Sequence, residues 1–292
     1  MQSLQPASAQ VQLVRFLHVT AQNPLAKIQC TLAAASGRTR NFVTIPLVHV
    51  RIAEIYSSLQ GEGRLTGVPS ALVRTSGCNL RCWFCDTPFT SWRPEGEDCD
   101  VAEILDAVEQ LKTASGPWQT RLPAGESAEL WHVILTGGEP MLHSELIPLA
   151  GQLRQRGWHI TIETSGTLYL PVACDLMSIS PKLASSTPVR AGTWSNRHER
   201  DRHEPTVIRR LLREYEYQLK FVIDSPSDCA DVDRWLQEFA PVPPDRVWLM
   251  PQGVEPGELQ QTAAWLVPYC DERGFHFCPR KHIEWFGHGR GT

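Results

Sequence analysis

From about residue 50 onward the chain alternates between two hydrophobic periods. Short apolar runs of strand length occupy residues 52–57, 71–73, 130–135, 158–162, 176–179, 217–223, 246–250 and 275–278. Between them lie stretches with a helical repeat. The clearest is 101–111, with apolar residues at 101, 104, 105, 108 and 111 behind Asp100 as a cap. Residues 142–153, 207–215, 228–239 and 258–273 read the same way. Strands that alternate with helices predict a largely parallel sheet. The 217–223 strand alternates strictly, with Leu219, Phe221 and Ile223 on one face and Gln218, Lys220 and Val222 on the other. Two polar residues on one face of an apolar strand suit the inside of a barrel that holds a polar ligand.

Two regions depart from this pattern. Residues 1–50 carry Arg15, Lys27, Arg38 and Arg40 but no acid, a composition open to a transit peptide or a disordered arm. The preferred expectation is that 1–48 form an extension the fold does not need, with 49–292 as the domain. Residues 184–205 mix Arg190, Arg197, Arg200 and Arg202 with Glu199, Asp201 and Glu204, and are expected to form a polar, solvated loop or flap.

Composition narrows the classes. A formal charge of -4 argues against a dedicated nucleic-acid binder, and no apolar run approaches membrane-spanning length. Cys30, Cys99, Cys174, Cys229, Cys270 and Cys278 show no paired spacing and read as ordinary thiols in a reducing cytoplasm.

The other three cysteines, Cys78, Cys82 and Cys85, stand at C-x3-C-x2-C just after the 71–73 run. One short loop with this spacing can give one thiolate to each of three irons of a cubane, leaving the fourth iron open. A structural zinc site would instead need a fourth ligand, for which Cys99 or a distant histidine are the candidates. Other strand ends are polar as well. Thr136-Gly137-Gly138-Glu139-Pro140 follows one strand, Glu163-Thr164-Ser165 another and Ser180-Pro181-Lys182 a third. Leu59-Gln60-Gly61-Glu62-Gly63 marks a tight turn, Arg74 ends a strand where a guanidinium can pair with a carboxylate, and Asp86-Thr87 follows the last cysteine.

The cysteine loop, with Phe84 before the last cysteine, and the 136–140 motif resemble those of the radical S-adenosylmethionine (SAM) superfamily. The 57–63 segment, Arg74 and the Gln-Leu-Lys-Phe-Val run at 218–222 resemble one family within it, the 7-carboxy-7-deazaguanine synthases. The resemblance spans about residues 52–292 and implies an incomplete (β/α)6 TIM-type barrel. It implies a 4Fe-4S cluster on Cys78, Cys82 and Cys85, and SAM near Phe84, Gly138, Glu139, Glu163, Thr164, Ser180, Pro181, Lys182, Gln218 and Lys220. It further implies a pterin held by Leu59, Gln60, Gly61, Glu62, Arg74 and Thr136, and Mg2+ on Thr87. The implied reaction converts 6-carboxy-5,6,7,8-tetrahydropterin to 7-carboxy-7-deazaguanine with loss of ammonia, a radical lyase step towards queuosine and related 7-deazapurines. No residue is assigned a general-base role. A flavodoxin or ferredoxin as electron donor and a homodimer are expected from the family, and the tail at 279–292 is expected to fold back over the substrate. A radical SAM activase acting on a glycyl residue of a partner protein shares the cysteine loop and the 136–140 motif, and stands as one alternative; a non-catalytic zinc-binding module is the other.

Overall fold

A computed structural model of the chain describes residues 49–113, 117–122 and 129–291, so the expectation for residues 1–48 lies outside it. β1 (Val50–Leu59) and β2 (Pro69–Thr75) form an antiparallel hairpin, and β3 (Glu97–Cys99) adds to the outer edge of β1. α1 (Val101–Leu111) follows behind a reciprocal cap: Glu103 N donates to Asp100 Oδ1 at 2.9 Å, and Asp100 N to Glu103 Oε2 at 2.8 Å. Next come β4 (His132–Gly137), α2 (Leu146–Gln155), β5 (His159–Thr164) and β6 (Leu176–Ile179). Two helices, α3 (Thr193–Asp201) and α4 (Pro205–Glu214), precede β7 (Tyr217–Ile223). The remainder is α5 (Pro226–Glu238), β8 (Val247–Pro251), α6 (Pro256–Arg273), β9 (His276–Phe277) and α7 (Lys281–Phe286).

The nine strands among the described residues make one sheet in the order β3-β1-β2-β4-β5-β6-β7-β8-β9, and every pairing from β2 to β9 is parallel. The six strands β2 and β4 to β8 are the (β/α)6 part, and the sheet does not close into a barrel. The 52–57 run falls in β1 and stands outside the parallel strands. It is the outer arm of a hairpin, which its short connection to β2 permits only in antiparallel pairing.

Strand alternation sorts the side chains. Val73, Leu135, Ile162, Ile179, Leu219 and Phe221 face outward into the buried apolar core shared with the helices. The opposite face lines the lumen. Its floor is polar but satisfied: His132 lies 2.7 Å from Ser70 Oγ and 2.8 Å from Thr161 Oγ1, and burial pushes its pKa down to about 3.

The 184–205 segment is not a solvated loop. Residues 193–201 fold as α3, and His198 on it is fully buried against the cysteine loop. The polar composition concealed this because the buried contact is itself polar, made through Trp194 and His198 one helical turn apart.

Candidate active site

Parallel strands bring their carboxyl ends to one rim, where loop residues can converge. Just below it, polar side chains form a belt at one level of the lumen. Arg74 pairs in register with Thr136, Glu163 with Ser178, and Ser178 with Gln218. Thr136 Oγ1 donates to Glu163 Oε2 at 2.8 Å, joining the belt between β4 and β5.

Above the belt, Cys78, Cys82 and Cys85 form one wall of a single cavity, together with Phe84. Leu80 N donates to Cys78 Sγ at 3.3 Å, Trp92 Nε1 donates to Cys82 O at 2.9 Å, and Ser91 Oγ lies 3.2 Å from Cys85 Sγ. Burial, helped by the Glu139 charge, pushes the Cys78 thiol up to about 12, and burial pushes Cys82 up to about 11. Iron must therefore displace protons here, as at other thiolate sites. Cys99, the candidate fourth ligand for zinc, sits in β3 within the apolar core with its Sγ 3.7 Å from Glu97 O, and takes no part in this wall.

The 136–140 turn docks on the base of the cysteine loop. Gly138 N donates to Thr75 O at 3.0 Å, and Glu139 N to Gly77 O at 2.8 Å. A Cβ on Gly138 would overlap the Gly77 carbonyl and approach Thr90 O, so only glycine allows the two loops this contact.

Glu139 is placed differently from the expectation. It is fully buried and does not line the cavity. Its Oε1 accepts from Thr164 Oγ1 (2.7 Å) and Met141 N (3.1 Å), and its Oε2 from Ser165 N (2.8 Å) and Ser165 Oγ (2.5 Å). The carboxylate thus braces the end of β5 instead of offering itself to an ammonium. Pro181 is buried beneath its strand end and does not line the cavity either. Gln218 also stays below it, accepting from Arg64 N at 2.8 Å and donating to Ser178 Oγ at 2.8 Å, which fixes the turn after Glu62. Gly138, Glu163, Thr164, Ser180, Lys182 and Lys220 do line it, and Lys182 Nζ donates to Ser180 Oγ at 2.8 Å.

The other wall carries Leu59, Gln60, Gly61, Glu62, Arg74 and Thr136. Arg74 Nε donates to Glu54 Oε1 at 2.6 Å and its Nη2 to Tyr56 Oη at 2.8 Å, which fixes the guanidinium plane while Nη1 is engaged by neither. Gln60 Nε2 donates to Glu163 Oε1 at 3.3 Å. Lys220 Nζ is paired with Glu62 and stands 3.7 Å from Glu163 Oε1. Burial alone raises the Glu62 pKa, but Lys220, then His282 and Arg280, outweigh it and hold the carboxyl well below its usual range. Burial would lower the Lys220 pKa; Glu62 and Glu163 reverse that and raise it. Both groups are therefore charged at neutral pH.

Several cavity residues were not legible beforehand. The tail crosses the mouth: Lys281 N donates to Gly61 O at 3.0 Å, Arg280 Nη1 to Gly253 O at 2.5 Å, and Arg280 Nη2 to Asp86 Oδ2 at 2.6 Å. Arg280, His282 and His288 line the cavity with Asp86, Thr87 and Gln252. The resemblance implied Thr87 and a tail that folds back, but not which tail residues reach the cavity, nor Asp86 and Gln252; the cations and aromatics of the tail and the Pro251-Gln252-Gly253 strand end were the signal.

Among the described residues, the buried side-chain polar atoms without a hydrogen-bond partner include Ser76 Oγ and Asn79 Oδ1, which flank Cys78 in sequence, and Arg280 Nε on the cavity wall, which has only the Glu62 carboxylate 3.7 Å away. Buried polar atoms are nearly always satisfied, so Arg280 Nε on the wall fits a cavity that takes a polar ligand, and three thiols on the facing wall are the donor set an iron–sulfur cluster takes.

Residues 72–181 match the Radical SAM superfamily. The chain is 41% identical to the 7-carboxy-7-deazaguanine synthase of Rhodopirellula baltica over 82% of this chain and 88% of that one. With the protein of the same name from Halobacterium salinarum it shares 39% identity, over 80% of this chain and 88% of that one. The crystal structure of QueE from Escherichia coli has a similar fold, with a TM-score of 0.57 at 23% identity over 80% of this chain and 95% of that one. Identity of this extent, over four-fifths or more of both chains, means that the chain belongs to the 7-carboxy-7-deazaguanine synthase family of radical SAM proteins.

Proposed function

We propose that this chain is a radical SAM lyase that converts 6-carboxy-5,6,7,8-tetrahydropterin to 7-carboxy-7-deazaguanine with release of ammonia, on the route to queuosine and other 7-deazapurines used in tRNA modification. One observation carries the reading: a single cavity joins the three-cysteine wall to a wall built around a fixed arginine. When bound, the cluster and SAM supply a one-electron cleavage that yields a hydrogen-abstracting radical.

The remaining work falls to the chain. Cys78, Cys82 and Cys85 hold the cluster. Gly138, Thr164, Ser180 and Lys182 hold SAM, with Glu139 acting on it only through the β5 end it braces. Arg74, fixed by Glu54 and Tyr56, takes the substrate carboxylate through the rest of its fork. Glu62 and Glu163 accept from the pterin N–H groups, and Lys220 balances their charge. The tail from Arg280 to His288 covers the mouth and keeps water out. Thr87, beside Asp86 on the cavity wall, is the residue that would hold Mg2+, a cation that takes few protein ligands. A flavodoxin or ferredoxin donor, a homodimer and a cytoplasmic setting complete the proposal.

The test is anaerobic turnover of 6-carboxytetrahydropterin, with and without Mg2+. About four irons per chain and SAM cleavage that depends on the pterin are expected. A variant Arg74→Ala that turned over the pterin as well as the parent does would refute the substrate assignment. SAM cleavage indifferent to the pterin would favour the activase.

A further inference from the structure

The segment between Pro181 and β7 has no role in holding substrate or SAM beyond Lys182, yet it is bound to the cysteine loop at several points. His198 Nδ1 accepts from Arg81 N at 3.0 Å. On its other side His198 Nε2 lies 2.9 Å from Ser186 Oγ, whose hydroxyl donates to Leu183 O at 2.6 Å. The serine proton is thus committed, so Nε2 must donate to the serine and Nδ1 must be the acceptor; the tautomer is set from both ends. The Arg81 guanidinium lies 4.0 Å over the Trp194 ring, and its Nη1 donates to Cys78 O and Leu80 O, each at 2.7 Å. Trp83 completes the attachment, its backbone N donating to Ser186 O at 3.2 Å and its Nε1 to Ser185 O at 2.8 Å.

All of these contacts fall on residues 78–83, which hold the first two cysteines, Cys78 and Cys82, and the residue after the second. The loop is too short to define its own shape, and three of its peptide groups are engaged from outside or across the loop by Arg81, His198 and Ser186. We infer that His198 and Trp194 of α3 are positioning residues for the 4Fe-4S cluster, clasping the loop at Arg81 so that Cys78 and Cys82 stay at cluster spacing. His198 does this by taking the Arg81 amide, and Trp194 by holding the guanidinium that ties the loop's carbonyls.

This inference rests on the cluster reading above, and one experiment separates the two. Parent, His198→Leu, His198→Asn and Trp194→Leu are reconstituted anaerobically, and iron release to a chelator is timed, with the melting temperature of each apo-protein as a control. Asparagine keeps an acceptor near the Nδ1 position; leucine does not. Losing a buried hydrogen bond whose partner stays unpaired corresponds to roughly tenfold, so His198→Leu is expected to release iron roughly tenfold faster than the parent. His198→Asn is expected to stay within about threefold of the parent and to restore the parent's reduced-cluster EPR signal. Trp194 is only half-buried, so Trp194→Leu gives a folded second measurement should His198→Leu fail to fold; it too is expected to release iron faster at an unchanged apo melting temperature. Parent-like release from either leucine variant, or release from His198→Asn as fast as from His198→Leu, overturns the inference. A parent that binds no cluster overturns the cluster reading and this inference with it.

Discussion

Replacing Lys220 by methionine removes the cation that lets Glu62 remain charged in a buried site. The two side chains are 7% and 15% exposed, so little solvent screens what is left. Breaking such a pair from one side costs about 3–5 kcal/mol, because the surviving charge stays buried without its partner. Glu62 keeps the Arg280 guanidinium, its Nε 3.7 Å away, which puts the expected loss at the lower end, about 3 kcal/mol; burial lowers the His282 pKa, so that ring adds no charge at neutral pH. For a domain of this size that corresponds to a fall in melting temperature of roughly 6–12 °C. Adding Glu62→Gln removes the stranded charge, so the double variant is expected to recover more than half of the loss while both remain inactive. The pH dependence carries a second sign. In the parent, the Glu62 contribution is present above the ordinary carboxylate pKa of 4.5 and is lost as pH falls below it. In Lys220→Met the acid regains its proton more easily, so the gap between single and double variants should narrow on acidification. Calorimetry of the apo-proteins at pH 7.5 and 5.5 measures both effects. A double variant no more stable than Lys220→Met at pH 7.5 would refute the reasoning.

Three further outcomes follow from the same geometry. Gly138→Ala forces a methyl group against the backbone carbonyl of Gly77 and is expected to cost about 1–3 kcal/mol and weaken SAM binding at least roughly tenfold, measured by titration of the reconstituted protein. Parent-like affinity would mean that the two loops need not touch. Arg74→Lys keeps the charge but not the fork shared with Glu54 and Tyr56, so KM for the pterin is expected to rise roughly tenfold or more while the iron content of the reconstituted protein stays at the parent's level. His132 has a folded pKa of about 3 against 6.5 unfolded, so its contribution is intact above 6.5 and lost as pH falls from there towards 3. At pH 5 that is about 2 kcal/mol; His132→Gln should therefore lose less melting temperature than the parent between pH 7.5 and 5, and an equal loss would contradict the assignment.

The sequence by itself determined whatever is local. Three cysteines within one eight-residue span, the 136–140 turn and the strand ends carrying Thr164 and Ser180 could be read because each ligand set sits in one loop or at one strand end. The alternation of strands and helices likewise follows from short-range burial, and it placed the sheet and the lumen face of β7 correctly. Partnership across the chain was decided only by the fold. Lys220 meets Glu62 across 158 residues and Arg280 meets Asp86 across 194, and no periodicity in either segment encodes the other. Glu139 carried the right motif but turned inward, because two hydroxyls and two amide groups at the end of β5 and in its own turn satisfy the carboxylate better than an open cavity would. α3 was missed for the same kind of reason. Its buried face is a histidine and a stacked tryptophan, so composition counts it as solvated while hydrogen bonds to a loop about 115 residues earlier bury it (Arg81 to His198 spans 117). Hydrophobic burial is written along the chain as a pattern, whereas the pairing of buried polar groups depends on which groups the sheet brings face to face.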